Sequence, residues 1–429
     1  MREVGVGLLG LGVVGSGVWE LLARNRDFLA RKTGVRLTVR KILVRDPDKP
    51  RRARVPREIL TTDPREVLES REVDIVCELM GGIEPARTYL LAALRQGKHV
   101  VTANKAVLAE HGPEIFQAAE SAEKGLFFEA AVGGGVPIVK TLRESLSANR
   151  IRRLTAIVNG TCNYILSRMS EEGLSFEQAL REAQERGFAE ADPRLDLSGR
   201  DSVHKLAILA TLAYGSFVPA DRIYEEGIIG VDPQDLIFAR EFGYCLKLLA
   251  IAREEEGRVE VRVHPTLIPE DHVLASVRGA YNGFFLEGDF VGQVFLYGLG
   301  AGAEPTASAV VADLLDAARL ILSGARPTPI LFRESPLSLK PQEEVVSRYY
   351  FRFSAVDRPG VLSQISGVLG QHGISIASVI QKGRTEHGPV PIVMLTHEAR
   401  EREVRQALAE IDRLEVVVLP TKVLRILEE

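Results

Sequence analysis

Gly10-Leu11-Gly12-Val13-Val14-Gly15 follows the apolar run Val4–Leu9 and opens an amphipathic stretch that continues to about Arg31. The pattern is G-x-G-x-x-G between a strand and a helix. Its first glycine permits a tight turn, its second lets the backbone approach a pyrophosphate, and its third lets helix and strand pack closely. Free N–H groups at the helix start then face the phosphates. The same six residues could form a purely structural turn, and the sequence behind them decides against that. Leu37–Val44, Asp74–Glu78, His99–Thr102 and Leu126–Ala130 read as further buried strands, with helices such as Glu84–Arg95 and Pro113–Lys124 between them. Strands alternating with helices predict a parallel sheet covered on both faces, a Rossmann nucleotide-binding domain over residues 1–133.

At the end of the second strand stand Arg45 and Asp46, followed by Lys49, Arg51 and Arg52. A guanidinium there suits a 2′-phosphate, which favours NADP, while Asp46 keeps NAD open. Apart from Arg45, these charges read equally well as a solvated loop.

A chain of 429 residues is too long for one core, so two or three domains are expected. The formal net charge of −4 offers no basic excess for nucleic acid. Cys77, Cys162 and Cys245 are sparse and far apart, which fits a reducing cytosol better than a disulfide framework or a structural zinc site. The first apolar stretch is broken by Glu3 and by glycines, unlike a signal peptide, and no run approaches the ~20 residues of a membrane span. A soluble, cytoplasmic protein is expected.

From Gly133-Gly134-Gly135 onward the pattern changes. Leu154–Val158 and Val259–Val263 read as strands, and Phe176–Arg186 and Asp201–Tyr214 as helices, in an α+β catalytic and dimerisation domain over 134–302. Helix Thr306–Leu322, within a returning segment of about 303–332, is expected to pack back on the first domain. Residues 333–346 are polar and proline-bearing and read as a linker. The last unit, 347–429, has strands Tyr349–Ala355, Ile374–Gln381, Pro391–His397 and Leu414–Pro420, with helices Gly360–Gln371 and Glu401–Ile411. That order is the ferredoxin-like βαββαβ arrangement.

Two clusters carry chemistry. The strand His99–Thr102 delivers Asn104 and Lys105 at its carboxyl end, where ligands of an open α/β sheet bind. The segment Glu190-Ala191-Asp192-Pro193-Arg194-Leu195-Asp196-Leu197-Ser198-Gly199-Arg200-Asp201-Ser202-Val203-His204-Lys205 gathers carboxylates and a lysine around a proline turn. Ser198 and Asp201 have capping-box spacing, and Leu206, Leu209, Ala210 and Ala213 form the core stripe of the helix they would start. Asp201 and Lys205 are spaced i, i+4 and share a face. Alone, that is a surface ion pair worth ~0.3–0.5 kcal/mol. Beside the other carboxylates it reads as a pocket for an ammonium-bearing substrate with a proton donor.

The glycine turn, Thr102–Ala106 (TANKA), Glu129–Ile138 (EAAVGGGVPI), Asn159–Leu166 (NGTCNYIL), Glu190–Lys205, Gly298–Gly302 (GLGAG) and Asp357–Leu362 (DRPGVL) together span the chain. In these segments the sequence resembles homoserine dehydrogenase in its long bacterial form, which ends in an ACT domain. The resemblance implies reversible hydride transfer between L-aspartate 4-semialdehyde and L-homoserine, on the route to threonine, methionine and isoleucine. It makes Lys205 the acid and base at the substrate oxygen, a task that calls for a lowered lysine pKa. Lys105 and desolvation would lower that pKa, while Asp201 would orient Lys205 and oppose the shift. Glu190 would hold the substrate ammonium, with Asp196, Gly160 and Thr161 completing the pocket and Lys105 touching both substrate and nicotinamide. Gly10, Gly12, Val13, Val14, Gly15, Arg45, Asn104, Lys105 and Gly302 would surround the cofactor.

The resemblance also implies a structural sodium or potassium ion held by carbonyls of Glu129, Val132, Gly134 and Val136, a loop that reads almost equally well as purely structural. It implies a homodimer or dimer of dimers, with threonine as effector at the Asp357–Leu362 turn and Gly373 and Gln381 as further contacts. A dimerisation module that binds nothing is the other reading of that unit. A dehydrogenase of another small amino-acid-derived aldehyde, or a non-catalytic nucleotide-responsive regulator, are the competing functions.

Overall fold

A computed structural model describes residues 2–330, 337–381 and 389–427. The chain divides into two compact units: Met1–Gly160 with Asp201–Ile223 and Ala280–Leu337, and Thr161–Arg200 with Tyr224–Gly279 and Ser338–Glu429.

The first unit begins β1 (Arg2–Leu9), α1 (Val13–Arg24), α2 (Arg26–Thr33), β2 (Val35–Leu43), β3 (Leu60–Thr61), α3 (Arg65–Leu68), β4 (Ile75–Glu78), α4 (Ala86–Arg95), β5 (His99–Thr102), α5 (Lys105–Ser121) and β6 (Leu126–Phe127). The six strands form one sheet in the order β3-β2-β1-β4-β5-β6, every pair parallel. This is the doubly wound sheet the alternation demands, with its switch point between β1 and β4.

Three expectations are corrected here. The first helix is two, because Asn25 leaves helical geometry at φ −103° and ψ 14°, as a residue that prefers caps to helix interiors does. The helix expected from Pro113 starts at Lys105, capped by Asn104, whose Oδ1 accepts from the Val107 N–H at 3.3 Å. Pro113 lies inside it and His111 breaks its geometry, since proline removes a helical hydrogen bond and clashes with the preceding turn. The strand expected to reach Ala130 stops at Phe127 and becomes the 3-10 turn Glu129–Ala131. There the Glu129 N–H bonds the Asp313 carboxylate at 2.8 Å instead of a strand neighbour.

The returning helix runs over Ala303–Ser323 and packs Val310 and Leu314 into the core of Val6, Leu8, Val18 and Leu22. Gly17 makes the approach possible: a Cβ there would lie 2.7 Å from the Ala303 carbonyl oxygen. Residues 331 and 332 of the expected return lie outside the described residues. A second, antiparallel sheet joins Ile151–Ile157, Tyr281–Gly288 and Gly292–Leu299.

In the second unit, Tyr244–Glu255 and Arg258–Pro269 form a hairpin whose two strands are twelve residues each, far longer than the single strand Val259–Val263 expected. Its two turn residues, Glu256 and Gly257, both have positive φ, 52° and 78°, as a type I′ turn requires. The terminal module places its strands in the order Val417–Ile426, Val346–Val356, Pro389–Thr396, Ile376–Gln381, all antiparallel. Helices Val361–Gln371 and Glu401–Ile411 complete it. Of the expected linker, residues 333–336 lie outside the described residues. Its later part is no free connection: Ser338–Leu339 pairs with Arg258–Val259, and Arg258 bonds Glu344 at 2.8 Å.

Candidate active site

The rim of the parallel sheet is built from its strand ends. At the end of β4, the buried Glu78 carboxylate accepts from the Thr102 hydroxyl at 2.7 Å and from the Met80 and Gly81 amides at 2.7 and 3.2 Å. Burial pushes this carboxyl up, with Thr102 opposing. Asn104 reaches back to the Gly82 carbonyl at 2.7 Å. The loops after β4 and β5 are thus tied together, and Lys105 stands on the tied edge.

The helix Arg200–Tyr214 buries Leu206, Leu209 and Ala210 and so fixes Asp201 and Lys205 on one side. Lys205 Nζ donates to Asp201 Oδ2 at 2.7 Å and to the Val158 carbonyl at 2.7 Å. Lys105 Nζ lies 2.8 Å from Asp201 Oδ1. Asn159 donates to Asp201 Oδ2 at 2.9 Å. One carboxylate therefore receives both ammonium groups, which are a hundred residues apart in sequence. The Asp201 side chain is only 8% exposed and that of Lys205 11%, so the value of an exposed i, i+4 pair does not apply. Breaking such a buried pair costs about 3–5 kcal/mol. Burial alone would raise the Asp201 carboxyl, but Lys205 and Lys105 overcome it and hold the group well below the usual carboxylate range. Against the expected capping box, the helix starts at Arg200, one residue later than a Ser198 cap requires, and Ser198 Oγ accepts from the Arg200 N–H at 3.3 Å.

An ammonium has three donors. Two of those on Lys205 are taken as above, and the third is unclaimed among the described residues. Asn282, fully buried, donates at 3.2 Å to the same Val158 carbonyl. Gly300 packs on it so closely that a Cβ would fall 2.0 Å from the Asn282 Cγ. Sequence reasoning assigned no role to Glu78, Asn159 or Asn282. Asn159 could have been found, since it opens the NGTCNYIL segment; Glu78 and Asn282 give no signal outside the fold.

In the glycine turn, Gly10 has φ +104° and Gly15 lies against the Gly10 carbonyl, 2.5 Å from where a Cβ would stand. At Gly12 a Cβ would meet nothing within 4 Å, so this face stays open beside the α1 amides of Val13 and Val14. Arg45 and Asp46 are exposed, and Asp46 accepts from the Asp48 N–H at 2.8 Å. In the same loop, a cavity of about 500 Å³ is lined by Leu11, Lys49, Arg51, Arg54, Pro56 and Leu60. Gly302, at φ +129°, precedes the helix Ala303–Ser323.

In the Glu129–Val136 loop, Gly133 and Gly134 both have positive φ, and Gly134 abuts the Gly300 carbonyl. The Glu129 carboxylate accepts from the Val139 and Lys140 amides, each at 2.8 Å. Val132 and Val136 are buried. Among the described residues no three His, Cys, Asp or Glu side chains are grouped to hold a metal, so a cation here would depend on carbonyl oxygens.

Gly160 lies against the Ala280 carbonyl, 2.7 Å from where a Cβ would stand. The other substrate candidates fall in the second unit. The Thr161 hydroxyl donates to the Phe188 carbonyl at 2.6 Å and lies 3.4 Å from Asp196 Oδ2. Glu190 is exposed. In the terminal module, Asp357 and Arg358 are exposed ahead of Gly360, whose φ is +92° at the start of helix Val361–Gln371. Gly373, at φ +71°, follows that helix, and Gln381 ends the strand at the sheet edge. No helix among the described residues is long and apolar enough to cross a membrane.

Three family models match: the homoserine dehydrogenase NAD binding domain over residues 10–129, homoserine dehydrogenase over 137–315 and the ACT domain over 349–416. The chain is 45% identical to a homoserine dehydrogenase of Synechocystis sp., covering 99% of each. It is similar to the crystal structure of a homoserine dehydrogenase from Thiobacillus denitrificans, with 44% identity, a TM-score of 0.92 and coverage of 100% of this chain and 99% of that one. A hyperthermophilic archaeal homoserine dehydrogenase in complex with NADPH aligns at 27% identity with a TM-score of 0.62, over 74% of this chain and 98% of its own.

Proposed function

The chain belongs to the homoserine dehydrogenase family, and from that premise we propose how its residues divide the work of reducing L-aspartate 4-semialdehyde to L-homoserine. Lys205 is the proton donor. Two of its N–H groups are fixed by Asp201 and Val158, and the third points the ammonium at the aldehyde oxygen as the carbon accepts hydride. In reverse, the same nitrogen takes the alcohol proton. Lys105 shares the Asp201 carboxylate and stabilises the oxygen as charge develops on it. Asp201 stays ionised throughout and orients both. Glu190 and Asp196, with Thr161 and Gly160, take the substrate ammonium and its surroundings.

Bound nicotinamide cofactor supplies the hydride. Gly10, Gly12 and Gly15 with the amides of Val13 and Val14 suit a pyrophosphate, and the open face at Gly12 supports that fit. Asn104 and Gly302 line the same cofactor. Arg45, with Lys49 and Arg51 in the basic loop beyond it, favours NADP over NAD. Carbonyls of Glu129, Val132, Gly134 and Val136 hold a sodium or potassium ion with a structural role. The enzyme works in the cytoplasm as a homodimer or a dimer of dimers. Its ACT module binds threonine at the Asp357–Leu362 turn, with Gly373 and Gln381 nearby.

The observation that carries the catalytic reading is the meeting of Lys105 and Lys205 on one buried carboxylate. Lys205→Ala should lower kcat by about 10²–10⁴-fold while NADPH affinity, read by fluorescence titration, stays unchanged. Near-normal turnover in that variant would remove Lys205 from the chemistry.

A further inference from the structure

The segment that carries the proposed substrate contact Asp196 is gripped from behind by a short stretch, Glu225–Ile228. Arg200 pairs with Glu225 at 3.4 Å, and the Ile228 N–H donates to the Leu197 carbonyl at 2.9 Å. Between these contacts Gly227 lies flat on the segment: a Cβ there would stand 1.9 Å from the Leu197 oxygen and 2.6 Å from the Ser198 Cα. The segment in turn holds Asp196 in place, with Cys162 Sγ 3.2 Å from the Asp196 carbonyl and the Gly199 N–H closing on that same carbonyl at 3.1 Å.

The gripping stretch is itself held by the last strand of the chain. Arg425, on Val417–Ile426 and only 5% exposed, donates to Glu226 Oε2 at 2.7 Å and to the Tyr224 hydroxyl at 3.1 Å. Its guanidinium also stacks over the Tyr224 ring at 5.0 Å. Tyr224 donates to the same Glu226 oxygen at 2.9 Å. The other edge of the guanidinium is taken by Glu401 at 2.6 and 2.9 Å, so Arg425 is a rigid bridge between the terminal module and Glu226. A planar guanidinium satisfied on both edges transmits displacement better than a flexible ammonium would. All these residues lie within the second unit.

We propose that Arg425 and Glu226 are positioning residues for the substrate. Through them the terminal module sets the geometry of the 194–199 segment and hence of Asp196. This rests on the reading of Asp196 as a substrate contact. A displacement of the last strand when the terminal module binds a ligand then changes substrate affinity at this segment.

The test compares three variants of the full-length enzyme, each with KM for homoserine, kcat, Kd for NADPH and melting temperature. Glu226→Gln keeps the shape and removes the charge on a half-exposed residue. Gly227→Ala forces the two backbones apart. Asp196→Asn probes the substrate contact itself. Glu226→Gln and Gly227→Ala are expected to raise KM about two- to tenfold with NADPH Kd unchanged, in the same direction as Asp196→Asn. A merely structural role would lower the melting temperature of Glu226→Gln and leave KM alone, and that outcome overturns the proposal. If Asp196→Asn raises KM and neither of the others does, the positioning idea fails alone. If the first two raise it and Asp196→Asn does not, the segment is positioned from the module but the role given to Asp196 is wrong.

Discussion

Asp201 is surrounded by three donors from three parts of the chain, Asn159, Lys105 and Lys205, and only one of these contacts could be read locally. The i, i+4 spacing of Asp201 and Lys205 put them on one helix face, and the position of Lys105 beyond a strand end placed it at the ligand side of the sheet. The first comes from helical periodicity and the second from where ligands bind an open α/β sheet. That the two lysines share a carboxylate, and that the Val158 carbonyl just past the Ile151–Ile157 strand takes a further Lys205 hydrogen, depends on segments far apart in the chain meeting. No local pattern encodes that. At the same scale, Arg45 is exposed beyond the end of β2 with no carboxylate partner among the described residues. Its guanidinium is therefore available to a 2′-phosphate. Arg45→Ala should raise KM for NADPH by about ten- to a hundredfold, the value of a hydrogen bond to a charged group, and leave KM for NADH unchanged. Equal effects on both cofactors would show that Arg45 does not read the phosphate.

Elements were legible where a hydrophobic period coincided with an ordinary start or stop signal. His99–Thr102 and Glu401–Ile411 fall where the sequence puts them. The long hairpin was missed because its turn is Glu256-Gly257 rather than Asn-Gly or Asp-Gly, and because Leu246–Ala252 and Val259–Ile268 are buried with few breaks; a buried strand shows no alternation. Helix Glu401–Ile411 also carries a charge whose titration belongs to the element. Glu401 is almost fully buried, accepts from Arg425, Arg405 and the Tyr349 hydroxyl, and burial alone would raise its carboxyl. The Arg425 bonds and charge outweigh burial and bring it down to about 2. A carboxyl held below its unfolded value stabilises the fold fully above about pH 4.5, and that contribution is lost as pH falls toward 2. Glu401→Gln should therefore be less stable at pH 7 by roughly 2–4 kcal/mol, and its stability should change less between pH 5 and pH 2 than that of the parent. Urea unfolding at several pH values measures both; parallel pH curves for the two proteins would contradict the assignment.

At the scale of the molecule, the terminal module was recognisable from its own order of elements, and a polar stretch before it read as a tether. Its attachment could not be read, because the residues that make it look like surface charges. Asp235 is 3% exposed and takes the Tyr350 hydroxyl at 2.8 Å and Arg352 at 2.5 Å. Val417–Ile426 pairs with Arg258–Pro269 at Thr266 and Leu267, and Ser338–Leu339 pairs with the other end of the same strand. The module is thus a continuation of the second unit's sheet and not an appendage. Ending the chain after Leu337 would leave strand backbone unpaired, a ready template for association, and would strip a buried carboxylate of its partners, a loss of about 3–5 kcal/mol by itself. The truncated enzyme should melt several degrees lower and associate in a concentration-dependent way on size exclusion. Threonine, if it acts through this module, should change homoserine KM in the full-length protein. A truncated protein that stays dispersed, melts with the parent and still responds to threonine would place both the brace and the sensor elsewhere.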